Sequence, residues 1–105
     1  MNNVPIDKVS VLEDRKLRIY PMVSSADYQY IYREGREVYW DQNEKCFYSP
    51  VPREWNYKKW FSHILLVARD GLGVSLHLTS ETKFSPSDSK FVEDMNQSFK
   101  EIQNG

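Results

Sequence analysis

The sequence is short of several things, and each shortage removes a class of protein. It has one cysteine, Cys46, so no intrachain disulfide can form. A lone cysteine reads as a small, half-buried apolar residue in a reducing compartment rather than as a reactive thiol. Four glycines and five prolines leave no room for a long flexible linker. The two histidines, His63 and His77, each lack a second His or Cys at ligand spacing, which argues against a zinc site. Neither sign of charge is in excess: Lys plus Arg is 14, Asp plus Glu is 15, and the formal net charge is −1. A protein held to nucleic acid by phosphate neutralisation needs a basic surplus, so that class is disfavoured. The longest uninterrupted apolar run is residues 64–68, far short of the roughly 20 that a membrane helix needs. The opening MNNVPIDKV has neither the basic nor the apolar region of a secretory signal. The expectation is a soluble cytoplasmic protein with no membrane segment, no metal and no cofactor.

What the sequence has in abundance is aromatic side chains in one place. Eleven of the fifteen aromatic residues, including all three tryptophans, lie in residues 28–61. The length of 105 residues fits a single domain over 1–105, large enough to bury a core without staples. Residues 1–7 read as a loose N-terminal lead-in. Val9 and Val11, then Leu17 and Ile19, alternate with polar neighbours across a charged turn, which predicts a hairpin. Tyr28, Tyr30 and Tyr32 alternate with Gln29, Ile31 and Arg33, which reads as a strand with three tyrosines on one side. Residues 38–40 and 46–48 complete a three-strand meander with turns at Gly35 and residues 41–45.

A helix follows. Tyr57, Trp60, Phe61, Ile64, Leu65 and Ala68 recur at spacings of three and four, with Gly71 the expected stop and Gly73 behind it. Val74, Leu76 and Leu78 alternate as a strand. Ser85 is the expected N-cap of a last helix with Pro86 in its first turn. Its stripe is Phe91, Val92, Met95, Phe99 and Ile102, read as core or as a dimer contact. Strands first and helices later predict an α+β class. The expected architecture is an antiparallel sheet of about five strands with two amphipathic helices packed on one face.

No catalytic signature stands out, and the reading leans away from an enzyme. Ser75, His77 and Thr79 share a strand face near Asp70, but strand neighbours two apart lack a shared attack geometry. Gly71-Leu72-Gly73 is too short for a phosphate fingerprint. The tyrosine row is the most informative feature. A helix-covered sheet face favours Val, Ile, Leu and Phe, whereas tyrosines bury a ring and keep a hydroxyl for water or a partner. Base stacking on such a row is the least favoured use, because six basic residues near it face five acidic ones. A carboxylate beside aromatic rings holds a cation instead.

Gly35 with Val38 and Trp40, the run Phe47-Tyr48-Ser49-Pro50, Trp55, Trp60-Phe61, Gly73-Val74, Leu76 and Leu78-Thr79 together span about half the chain. Over this stretch the sequence resembles the small orphan proteins carried on mobile integron gene cassettes of bacteria. The resemblance implies a compact bacterial α+β protein, often oligomeric and mostly of unassigned function, some of the group looking like small-molecule binders. It carries over no functional residues. The expected function is non-enzymatic binding of a small amphipathic or cationic ligand in an aromatic cleft. Its residues would be Tyr28, Tyr30, Tyr32, Tyr39, Trp40, Tyr48, Trp55 and Glu37. The alternative is a protein-interaction module of immunity or antitoxin type, since exposed Tyr and Trp are hot-spot residues. A homodimer is expected in either case.

Overall fold

The computed structural model describes residues 2–53 and 55–104, and the side chains of Asn2, Gln103 and Asn104 are left aside. The chain runs β1 (Asn2–Val11), β2 (Leu17–Pro21), a 3-10 helix (Ala26–Glu34), β3 (Tyr39–Asp41) and β4 (Cys46–Tyr48). It continues through α1 (Tyr57–Leu72), β5 (Val74–His77), β6 (Lys83–Ser85) and α2 (Ser89–Asn104). The result is the expected α+β architecture, a curled six-stranded sheet with helices packed against it.

The sheet is mixed rather than wholly antiparallel. Its order is β3-β4-β2-β1-β5, with β6 also on β1. The hairpins β1–β2 and β3–β4 are antiparallel, and β4 is antiparallel to β2. β4 therefore points the same way as β1. α1 carries the chain back across the sheet, so β5 emerges in that same direction and pairs parallel with β1. A parallel pairing needs such a crossover, and a helix supplies it.

The loose lead-in expected for residues 1–7 is corrected. Residues 2–7 belong to β1, because β5 lies along Asn2–Pro5 and fixes that end. β1 then shifts register between Ile6 and Lys8. Beyond the shift its outer edge is taken by β6, at Lys8–Ser10. Thr82 fills the joint between β5 and β6. Its hydroxyl donates to the Ile6 carbonyl at 2.7 Å and accepts from the Thr79 N–H at 2.9 Å.

The strand expected over residues 28–33 is also corrected. This stretch is the 3-10 helix, capped by Ser25, whose Oγ accepts from the Asp27 N–H at 3.4 Å. Gly35 closes it at φ +66°, a value that favours glycine. In a 3-10 helix, residues three apart lie on one side. Tyr28 and Ile31 are accordingly buried, while Tyr30 and Tyr32 face out. The three-strand meander is thus a two-strand hairpin, β3–β4, whose turn is held by Asp41. Its carboxylate accepts from the Asn43 and Glu44 N–H groups at 2.9 and 3.0 Å.

α1 begins at Asn56, whose side chain accepts from the Lys59 N–H at 2.9 Å. The expected stripe is buried at Trp60, Phe61, Ile64, Leu65 and Ala68, with Val67 added, and half-buried at Tyr57. The helix stops at Gly73, φ +68°, not at Gly71. Gly71 serves another end, since a Cβ there would lie 2.6 Å from the Glu34 side chain, where the 3-10 helix meets α1. α2 packs chiefly along α1 and sends Met95 into the core. Ser98 makes the two helices meet closely. Its hydroxyl donates to the Lys58 carbonyl at 2.9 Å and so accepts from Ser62. The N-cap of α2 is Asp88, which accepts from the Phe91 N–H at 2.9 Å, rather than Ser85. Ser85 is committed to β6 opposite Ser10.

Two expectations follow. Thr82→Val removes the hydroxyl from the buried Ile6 carbonyl and the part-buried Thr79 N–H, and an unmet buried group costs about 1–3 kcal/mol. A loss in that range is expected from urea denaturation, and an unchanged midpoint would contradict the plug. Cys46 is fully buried, and burial first, then the Asp41 charge, push its thiol from 9.0 up to about 12. A raised folded value means stability held below the ordinary pKa and lost as pH rises from there through the folded one. Stability is expected to fall between pH 9 and 12, along a shallower slope in Cys46→Ala, because burial also raises Tyr20 and Tyr28.

Candidate functional site

The eight residues singled out from sequence separate into four places. Tyr28 is buried against Trp40, with ring centroids 5.2 Å apart, and against Phe47 at 5.3 Å. Burial raises the pKa of its hydroxyl. Trp40 is half-buried and donates its Nε1–H to Gln42 at 2.9 Å. This pair is structural: it joins the 3-10 helix to the β3–β4 hairpin. Tyr39 and Tyr48 pair across the hairpin at 5.4 Å on the other sheet face, with Lys16 over Tyr48. Tyr30 and Tyr32 lie on the outer side of the 3-10 helix, with Arg33 over the Tyr30 ring at 4.4 Å. The 3-10 helix does not set the three tyrosines in the single sheet row expected of them.

Trp55 and Glu37 come together at the fourth place. The loop from β4 to α1 is anchored by Ser49, which is buried. Its N–H donates to the Leu17 carbonyl at 3.0 Å, and its hydroxyl accepts from the Leu17 N–H at 3.1 Å. That hydroxyl donates onward to the Pro50 carbonyl at 2.8 Å. From this anchor the loop carries Pro50, Val51, Arg53 and Trp55 toward the start of α1. Trp55 is 39% exposed and rests on Trp60, with centroids 5.0 Å apart. His63, one turn further along α1, packs edge-on to both indoles at 5.0 and 5.4 Å.

His63 also fixes the opposite side. Its Nε2 lies 2.7 Å from the Arg36 carbonyl. A carbonyl only accepts, so Nε2 carries the proton and the neutral ring is the Nε2–H tautomer. The bond holds the segment between the 3-10 helix and β3 against α1. Glu37 follows directly, with its carboxylate 3.9 Å from the Arg53 guanidinium.

Trp55 is a wall of two clefts. One, of about 320 Å³, is lined by Glu37, Pro50, Val51, Arg53, Trp55 and Trp60. The other, of about 430 Å³, runs along α1 past Lys58, Lys59, Ser62 and His63 to Ser98 and Glu101 of α2. Lys58 is partly neutralised by Glu101 at 3.9 Å. Among the described residues the arrangement offers aromatic faces, two exposed carboxylates, Glu37 and Glu101, and several cations. Among the described residues, no group of three or more His, Cys, Asp or Glu could hold a metal ion. No described helix is long and apolar enough to cross a membrane.

Sequence reasoning placed Trp60 in the core, which is right for its burial, but missed that the same ring forms a cleft wall. It weighed His63 only as a metal ligand and Arg53 only as one of the six basic residues near the tyrosine row. The available signal was the pair Trp60 and His63, three apart on a helix and therefore adjacent.

A family model described as Integron Cassette Protein Hfx_Cass5 matches residues 3–82, from β1 to the turn before β6. A solved structure of that cassette protein, from the mobile metagenome of the North West Arm sewage outfall, is 28% identical. The alignment covers 93% of this chain and 96% of that one, with a TM-score of 0.45. No curated protein matches.

The His63 bond generates a direct test. His63→Ala leaves the Arg36 carbonyl without its donor and opens space between the two indoles. The Arg36 carbonyl is exposed to water, so a net loss of about 0.5–1.5 kcal/mol is expected in urea denaturation. Amide exchange should quicken across residues 35–38, and unchanged exchange there would show that His63 does not hold the segment.

Proposed function

The chain belongs to the Hfx_Cass5 family of integron cassette proteins, and from that premise we propose a non-enzymatic binding protein that takes a small amphipathic ligand beside Trp55. One observation carries the reading. Trp55 keeps 39% of its surface exposed while its ring is seated on Trp60 and His63. A large aromatic that is held in place yet open on two sides offers apolar area at little further ordering cost. Glu37 at the rim adds attraction for a cation, which an indole face reinforces. Both residues belong to the set picked out from sequence. Tyr28 and Trp40 leave it, because they are spent on packing.

A second reading is favoured by the outward-facing Tyr30 and Tyr32, with Met22 and Val23 exposed just before the same 3-10 helix. These make an interaction surface for a second copy of the chain. Sedimentation at micromolar concentration is expected to show a dimer that Tyr32→Ser weakens; a clean monomer would remove this reading.

The ligand reading is tested by titrating small cationic, zwitterionic and anionic aromatic amphiphiles while following tryptophan fluorescence. At least one class is expected to change the emission. Trp55→Ala should weaken that ligand about tenfold, the effect of losing ~1.4 kcal/mol of contact. Silence from every class, or an unchanged affinity in Trp55→Ala, overturns the proposal.

A further inference from the structure

A ring that walls the smaller cleft carries a buried donor with nothing to donate to. Trp60 is 5% exposed, and its Nε1–H has no acceptor among the described residues. An unmet buried donor costs about 1–3 kcal/mol, so native structures keep few of them. The ring that bears it is a wall of the 320 Å³ cleft with Glu37 and Arg53.

Glu37 supplies a second observation. Its backbone is left-handed, φ +62°. Arg15 and Lys45 share that conformation, but each lies in a hairpin turn, β1–β2 or β3–β4, where a positive φ helps reverse the chain. Glu37 lies between the 3-10 helix and β3, in no hairpin. It is held there by the His63 bond to the preceding carbonyl. Strain of this kind collects at ligand clamps. The third observation is the spacing of the rim charges. Glu37 and Arg53 are 3.9 Å apart with side chains 54% and 81% exposed. That is close enough to attract and too long to hydrogen-bond, so both keep their bonding capacity.

Among the described residues the cleft therefore presents one cationic donor, the Arg53 guanidinium, and one anionic acceptor, Glu37, with the Trp60 N–H buried in the ring that forms its wall. Pro50, Val51 and Trp55 supply an apolar wall. A simple anion would meet Glu37 unfavourably. A simple cation would leave Arg53 and the Trp60 N–H unmet. A ligand with both charges satisfies all three. We propose that this cleft binds a zwitterion of the α-amino acid class. Its carboxylate goes to Arg53 and Trp60, its ammonium group to Glu37, and its side chain lies against Pro50, Val51 and Trp55. The assignment rests on the reading of Trp55 as a ligand-facing ring.

Calorimetry on the whole chain tests it. The common α-amino acids are titrated first, then the amide and the N-acetyl derivative of the best binder, each of which removes one charge. The free amino acid is expected to bind about tenfold or more tightly than either derivative. Trp60→Phe, which keeps a ring but loses the N–H, should weaken the amino acid about fivefold or more and leave the amide unchanged. Glu37→Gln should weaken the amino acid and leave the N-acetyl derivative unchanged. Circular dichroism establishes that both variants fold. If the amide or the N-acetyl form binds as tightly as the parent, the zwitterion assignment falls while the Trp55 site stands. If no α-amino acid binds at millimolar concentration but another amphiphile does, the assignment falls in the same way. Silence from amino acids and amphiphiles alike removes both proposals.

Discussion

The sheet depends on how one strand, β1, is shared. Along its inner edge it pairs with β2 alone; along its outer edge two short strands divide its length. β5 takes the first residues and β6 the later ones. Between them β1 changes register, and the Ile6 carbonyl at that joint is met by the Thr82 hydroxyl. Without a donor there, a buried carbonyl would be left in the middle of the most heavily paired strand. Thr79 and Thr82 make a turn that inserts the donor and lets the chain rejoin the same edge. One hydroxyl thus keeps two strands acting as one.

The position of the cleft follows from that edge. Because β5 is parallel to β1, the crossover from β4 must span the sheet, and α1 does so with its apolar stripe down. Trp60, Phe61, Ile64 and Ala68 fix its rotation about its own axis. With that rotation set, His63 points to the segment after the 3-10 helix and Ser62 points to α2. Trp55 lies just ahead of the helix, on a loop already anchored by Ser49. The ring is therefore positioned by rigid elements on two sides although it belongs to a loop, the usual arrangement for a functional residue.

Much of the fold was legible because its strands and helices have clean periods. The β1–β2 hairpin, the α1 stripe and β5 each follow a single repeat, and each was read in the right state. The misreadings occurred where two repeats compete. In Tyr28-Gln29-Tyr30-Ile31-Tyr32 the tyrosines alternate and mimic a strand. The residues that bury, Tyr28 and Ile31, are three apart. The two patterns share Tyr28, and only the cap at Ser25 and the left-handed Gly35 mark this as a helix. The ends of the chain misled for a different reason. Residues 2–7 include Pro5 and read as loose, yet β5 holds them through a pairing with sequence positions 74–77. A partner that distant leaves no local signal. Ser85 and Asp88 are both good N-caps, and the choice between them is made by β1, which claims Ser85.

The candidate site was half legible for the same physical reason. Glu37 and Trp55 were found by residue type, as a carboxylate and an indole in an aromatic-rich stretch. Their company was not, because it is assembled by packing. The tyrosine row appeared as one surface only while it was assumed to be a strand. Once wound into a 3-10 helix, it sends Tyr28 inward to hold Trp40 and leaves Tyr30 and Tyr32 outside. The aromatic stretch therefore does two jobs at different depths. Its first part locks the hairpin to the helices. Its last part builds the wall at Trp55 and Trp60. Among the described residues the other unpartnered buried side-chain group, the Ser10 hydroxyl, lies in β1, whereas a left-handed residue outside any hairpin, Glu37, and a buried indole N–H without an acceptor both lie at that wall. Packing alone would remove them, since Gly or Asn at position 37 and Phe at position 60 would satisfy the fold at lower cost. Their presence at one cleft is what separates this wall from the rest of the core.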